Sequence, residues 1–394
     1  MLAFRALRYR SLRSIPRHFP ATLQSPAPKS LLGLRPALGH RHQSSRPSSR
    51  GVSFPLPLIL IASGLTALSY GLYQYYTSAI QRYPPTVRSL LRKAIYYQNY
   101  GQNPQRSVEY YRSALDEAMK DPQLHVGEDH VTGIMIQLGD LLEQLGRVPE
   151  SIAVLSQALE AMIHTHEGGT PRELEEGAAR IRAVSIAQRL AQLHLQLKQD
   201  SDAERLLTWS VEQLLKPLPR HEGSEERVIK EWELPKWMRP VDLGGALESL
   251  ASFYAQRKNY EYVIPLYQRT LDLLPKSDCH AAVLMCNLSE AYASKGDLEE
   301  ARKWASQGLS VVESSKKQKR HDKECDEACG VLLFNAGMVH EMSGNLEQAR
   351  HFYQQSKEYG RAHRFPECVQ EADAALRRLQ TAKLVNKDHG LLRQ

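Results

Sequence analysis

Apolar positions divide this chain into two regimes. From Phe54 to Tyr76 runs an uncharged, mostly apolar stretch of 23 residues, and no charge at all falls between Arg50 and Arg82. About 20 such residues are enough for a helix to cross a hydrocarbon core. Pro55 and Pro57 sit at its start, where a first helical turn tolerates a missing N–H. Tyr70, Tyr73, Tyr75 and Tyr76 gather at its end, as an interfacial aromatic belt would. Further on, the pattern changes to a spaced alternation of large and small residues. Leu138-Gly139, Leu142, Gly146, Ser151, Leu155 and Ala158 predict two helices joined by a tight turn. The small residues let the helices approach, the large ones fill the gap, and Gly146 closes the first helix in a left-handed turn.

That frame recurs. It reads Leu250-Ala251, Tyr254, Val263, Tyr267 and Pro275; then Leu288-Ser289, Tyr292, Gly296, Ala301 and Gly308; then Ala336-Gly337, Gly344, Ala349, Tyr353 and Ser356. Looser copies contain Ile95, Ser107, Tyr111 and Ala114, and Leu190-Ala191, Ala203, Leu207 and Ser210. The pattern resembles the 34-residue tetratricopeptide repeat, with Leu138-Gly139 at positions 7 and 8, Gly146 at 15, Ser151 at 20 and Ala158 at 27. The resemblance implies an all-α fold, an α-solenoid of about six helix pairs over residues 86–383, closed by a helix at about 366–383. Units recur every 38 to 60 residues, through insertions at about 120–130, 163–180 and 216–242.

Charge separates the chain further. The first 108 residues hold 15 of the 51 Lys and Arg and none of the 44 Asp and Glu. From Glu109 onward the count is 36 basic against 44 acidic, a balance of −8, so the overall +7 comes from the N-terminal segment and does not favour nucleic-acid binding. Residues 1–43 are Arg-rich, Ser-rich and acid-free with amphipathic spacing, the composition of a mitochondrial transit peptide. Residues 44–53 are expected as a matrix-side flank, 54–76 as a single transmembrane helix and 384–394 as a tail. Arg41, Arg46 and Arg50 place the N-terminus in the matrix and the repeats in the intermembrane space, at the mitochondrial inner membrane. Ser63, Ala67 and Gly71 form a small-residue stripe on the span.

No catalytic constellation is found: no phosphate loop, no dinucleotide glycine fingerprint, no His-Glu-x-x-His. No enzyme activity, metal or cofactor is expected. His125 and His130, like His164 and His166, read as hydrated loop residues. The five cysteines, Cys279, Cys286, Cys325, Cys329 and Cys368, are expected as buried or free thiols, although His321, Cys325 and Cys329 share one helical face.

The remaining functional surface is the face of each first helix. The repeat resemblance puts Arg92, Tyr96, Asp140, Glu143, Glu248, Asn287, Glu290, Asn335 and Glu341 there, an acidic, amide-bearing groove suited to a basic or extended polypeptide. Trp232 and Trp237 in the 216–242 insertion either contact a partner or cover the groove between two units. The run Tyr83-Pro-Pro-Thr-Val87, the segments 91–97 and 107–114, and Asp129-His-Val-Thr-Gly-Ile134 are similar to the fungal adaptor subunit of the mitochondrial i-AAA protease. That resemblance implies a non-catalytic subunit, partnered with the protease and its other adaptors, that recruits unfolded clients for degradation. The alternatives are an assembly factor for a respiratory complex and an outer-membrane import receptor.

Overall fold

The computed structural model describes residues 63–70, 73, 79–122, 124, 129–163, 177–218, 233–275, 277–317 and 323–391. Every regular element among them is helical. They divide into two compact units, one ending at Val154 and one beginning at Leu155, each taken by itself below. The expected address and flank, 1–53, lie outside the described residues. Of the expected span, only 63–70 and 73 are described, as helix with exposed side chains. Among the described residues no helix is long and apolar enough to cross a membrane.

In the N-terminal unit a 3-10 turn, Ala79–Arg82, leads into α1 (Pro85–Asn99) and α2 (Pro104–Lys120), followed by α3 (Asp129–Gln144) and the first half of α4 (Val148–Ile163). Pro85 and Pro104 occupy first-turn positions, and the Asn103 side chain accepts from the Arg106 N–H. Val87, Leu91 and Ala94 form the buried stripe of α1, against Val108, Tyr111, Ala114 and Ala118 of α2. The closest approach of each pair is a hydrogen bond from a buried Ser to a carbonyl of the facing helix. Ser107 Oγ donates to Ala94 O at 2.8 Å, and Ser151 Oγ to Gly139 O at 2.8 Å. In the first pair the small residue at the contact is Ala94, fully buried, and not Ile95, which is only half-buried. The turn there is one residue longer than in the second pair, which shifts the register by one.

The C-terminal unit continues with α5 (Gly177–Gln196) and α6 (Asp200–Leu215), α7 (Pro240–Gln256) and α8 (Tyr260–Asp272), α9 (Cys279–Lys295) and α10 (Leu298–Lys317), α11 (Lys323–Met342) and α12 (Leu346–His363), and finally α13 (Pro366–Leu391). Six helix pairs and a closing helix are thus present among the described residues, and α13 runs beyond the expected end at 383. Within this unit α9 packs on α8, α10 and α11, and α11 on α10, α12 and α13, the neighbour-to-neighbour stacking of a helical repeat. Ser289 Oγ donates to Ala301 O at 2.9 Å, the same contact with the helices exchanged. Gly337 and Gly308 show why those positions stay small. A Cβ on Gly337 would sit 2.7 Å from the Tyr353 ring, and one on Gly308 would sit 2.8 Å from Leu332 Cδ2.

The helix-closing turns use left-handed backbone. Gly146, Gly296 and Gly344 have φ of 74°, 95° and 79°, as position 15 requires. In the two looser units and in the unit that starts near Leu250 the same turn is made by Gln102, Lys198 and Lys258, at φ of 45°, 59° and 61°. A side chain in this region costs about 1–2 kcal/mol. Gly296→Ala is therefore expected to lower stability by about 1–2 kcal/mol. Lys258→Gly should raise it by about 0.5 kcal/mol, because relief of strain exceeds the entropy that glycine adds to the unfolded chain. Urea denaturation of both variants checks the pair of opposite signs.

Candidate functional site: the first-helix faces

The expected groove residues fall into two groups. In the N-terminal unit, Arg92 and Tyr96 are exposed on α1, while Asp140 and Glu143 are half-buried on α3. In the C-terminal unit, most of the expected acids and amides are engaged between successive helices. Glu248 of α7 is 7% exposed, and its Oε2 lies 2.8 Å from His280 Nε2 on α9. The other ring nitrogen, Nδ1, lies 2.8 Å from Glu324 Oε1 on α11. Asn335 is fully buried and donates from Nδ2 to Cys286 O at 3.3 Å. Glu341 accepts from Arg378 of α13 at 2.9 and 2.6 Å and from Tyr353 Oη at 2.7 Å. Asn287 is buried at 9% and Glu290 half-buried. The ladder of first helices is thus tied together by the polar residues expected to face a ligand.

His280 stands at the start of α9, where Asp278 caps the helix by accepting from the His280 N–H. Burial works against its imidazolium, and a helix N-terminus is also unfavourable for a cation. The hydrogen-bonded carboxylates of Glu248 and Glu324 outweigh this and push the pKa up to about 10. At neutral pH one cation therefore sits between two anions from two different helices.

The same helix starts carry a covalent link. Cys279 and Cys325 form a disulfide across 46 residues, with Cα atoms 4.9 Å apart. This corrects the expectation of five buried or free thiols. Stacking brings the starts of α9 and α11 side by side, a proximity that the local sequence does not encode. Cys286, Cys329 and Cys368 are free and buried. Burial pushes the Cys286 thiol well up and that of Cys368 to about 11, so both are protonated and inert at neutral pH. Among the described residues no group of three or more His, Cys, Asp or Glu is arranged to hold a metal ion. His125, His164, His166 and His321 lie outside the described residues, as does Trp232.

Trp237 is half-buried against the α5–α7 core, with Arg180 Cζ 5.7 Å from its ring centroid. Gly177, the first residue of α5, lies against the same ring, so that a Cβ there would fall 2.0 Å from Trp237 Cγ. This is a packing position that closes α5 and α6 against α7. His280, Glu324 and Arg378 escaped the sequence reading because α9, α11 and α13 extend outside the repeat frame. Their partners lie 32, 44 and 37 residues away. The one available signal was that acids in first helices of successive units need a cation between them.

The tetratricopeptide repeat family matches this chain at residues 282–311, starting where the frame sets position 1 of the fifth pair. A tetratricopeptide-repeat-containing protein of Schizosaccharomyces pombe is 22% identical over 316 residues, covering 77% of this chain and 80% of the relative. Two solved structures are also similar. BtubC of P. vanneervenii is 17% identical with a TM-score of 0.46, covering 69% of this chain and 91% of its own. A STAND protein with a tetratricopeptide repeat sensor from Pyrococcus horikoshii is 12% identical with a TM-score of 0.49, covering 83% of this chain and 43% of its own.

Two outcomes are expected. Because the His280 pKa is raised from about 6.5 to about 10, its contribution is complete below pH 6.5 and lost as pH rises through 10. His280→Gln should lower stability at pH 6.5 by on the order of 3 kcal/mol, leaving Glu248 buried without its cation. Thermal melts at intervals from pH 6 to 10 should show wild type converging on the variant at the alkaline end. Reduction, or Cys279→Ser with Cys325→Ser, should cost about 2–4 kcal/mol by releasing the 46-residue loop in the unfolded chain, read as a lower urea midpoint.

Proposed function

We propose that this tetratricopeptide repeat protein is a non-catalytic adaptor of the mitochondrial inner membrane, holding unfolded polypeptides beside an i-AAA protease in the same bilayer. The observation that carries the binding role is the series of stacked helix pairs, whose first-helix faces offer half-buried acids such as Asp140 and Glu290. Such surfaces suit protein–protein interaction, and acids there favour basic or extended chains. An anchored, rigid repeat array raises the local concentration of client at the enzyme without performing chemistry.

Three features support the location. The acid-free N-terminal segment fits a matrix address, the uncharged run 54–76 fits a single span, and a disulfide persists in an oxidising compartment such as the intermembrane space. The protease partnership rests on the similarity of residues 83–87, 91–97, 107–114 and 129–134 to the fungal adaptor.

A C-terminally tagged chain should therefore recover the i-AAA protease in near-stoichiometric amount from mitochondria solubilised in mild detergent. Recovery of respiratory-complex subunits without the protease would replace this reading with the assembly-factor one, and a tag accessible to protease in intact mitochondria would favour an outer-membrane receptor. Asp140→Lys and Glu290→Lys, each tested separately, should weaken crosslinking to a basic unfolded client by roughly ten-fold while leaving the helical circular dichroism unchanged.

A further inference from the structure

The charge break in this chain does not coincide with the end of the apolar run. Arg82, Arg88, Arg92, Lys93 and Arg106 follow Tyr76 with no acid among them until Glu109, so the whole of α1 is acid-free. A transit peptide explains the first 43 residues and a span explains the next; neither explains a folded helix without a carboxylate. The exposed end of α1 and the first turns of α2 gather tyrosines and cations, with the exposed Glu109 beside Tyr110. Tyr96 and Tyr100 are 56% and 58% exposed, with ring centroids 6.3 Å apart. Tyr96 meets Tyr97 edge-on, and Tyr97 stacks on Tyr110 at 5.5 Å. Lys93 Nζ lies 5.6 Å from the Tyr110 ring and Arg106 Cζ lies 5.8 Å from that of Tyr97; Arg92 is exposed one residue before Lys93.

The 3-10 turn just before α1 is fastened to the folded helices. The Arg88 guanidinium donates to the carbonyls of Gln81 and Tyr83 at 2.8 to 3.2 Å, fastening the 3-10 turn to α1. Tyr83 is buried and donates to the His130 carbonyl at 2.9 Å, fastening the same turn to α3. Ala79 follows Tyr76 by three residues, a reach of at most about 11 Å. On the membrane-anchor reading, this keeps the start of α1 near the bilayer surface.

We infer that the Tyr96/Tyr100/Tyr97/Tyr110 cluster with Arg92, Lys93 and Arg106 is a docking face for the anionic bilayer surface that the preceding span enters. Tyrosine rings suit the interfacial region, and each basic group near an anionic surface adds about a five-fold gain in affinity. The inference rests on the membrane-anchor reading, and it moves Arg92 and Tyr96 from the polypeptide groove to the lipid face.

The test is hydrogen–deuterium exchange on the full-length chain in nanodiscs, either purely zwitterionic or with about a third anionic lipid. Peptides covering 92–106 should exchange about ten-fold more slowly in the anionic discs, and α3 peptides equally in both. Arg92→Glu with Lys93→Glu should abolish the difference, as should 0.5 M salt, which shortens screening to roughly 4 Å. Equal exchange of 92–106 in both lipids, with the chain still resistant to alkaline carbonate, overturns the docking face and leaves the anchor intact. Release by carbonate overturns the anchor. The docking face then stands if the released chain floats with anionic but not zwitterionic vesicles, and falls if it floats with neither.

Discussion

The close approach of the two helices in each pair is the constraint on which the other contacts depend. Ser107, Ser151 and Ser289 each donate across the gap to a carbonyl of the facing helix at 2.8 to 2.9 Å, and Ala251, Ala301 and Ala349 are fully buried at equivalent positions. A larger residue would push the helices apart and expose the apolar flanks that hold the pair together. The buried serines also give second bonds to carbonyls already committed to helix, so no polar group is stranded at the contact. Turns at Gly146, Gly296 and Gly344 follow, because a tight antiparallel pair needs a left-handed residue to reverse the chain.

Between pairs of the C-terminal unit the chemistry differs. Apolar packing along the stack is supplemented at the helix starts by Glu248–His280–Glu324 and by the Cys279–Cys325 disulfide, and near the helix ends by Glu341–Arg378 with Tyr353. A repeat stack has only nearest-neighbour contacts, so any pair interface is a place where it can part. Ion pairs fix relative register where apolar contact alone would permit sliding, and the disulfide makes one such interface covalent. The consequence for function is that these acids are neutralised within the fold.

The charge of the chain divides at one point. The acidic balance lies from Glu109 onward, over the greater part of the helix pairs. The acid-free stretch up to Val108 includes the whole of α1. The charge boundary falls inside the first helix pair and not at the end of the apolar run.

By itself the sequence determined the helical class, the six pairs and the closing helix, because these follow from local periodicity. Leu138, Gly146 and Ser151 state their roles within one helix turn of each other's predicted positions. It also determined the charge partition, which is a matter of composition. Tertiary structure alone decided which side chains face each other across pairs. His280 meets Glu248 and Glu324 over separations of 32 and 44 residues, and Cys279 meets Cys325 over 46, distances set by insertion lengths that no periodicity reports. The register of the first pair, Ala94 in place of Ile95, was decided in the same way by one extra residue in a turn. Local pattern fixes which residues are small or buried; stacking fixes which buried charges and thiols become partners.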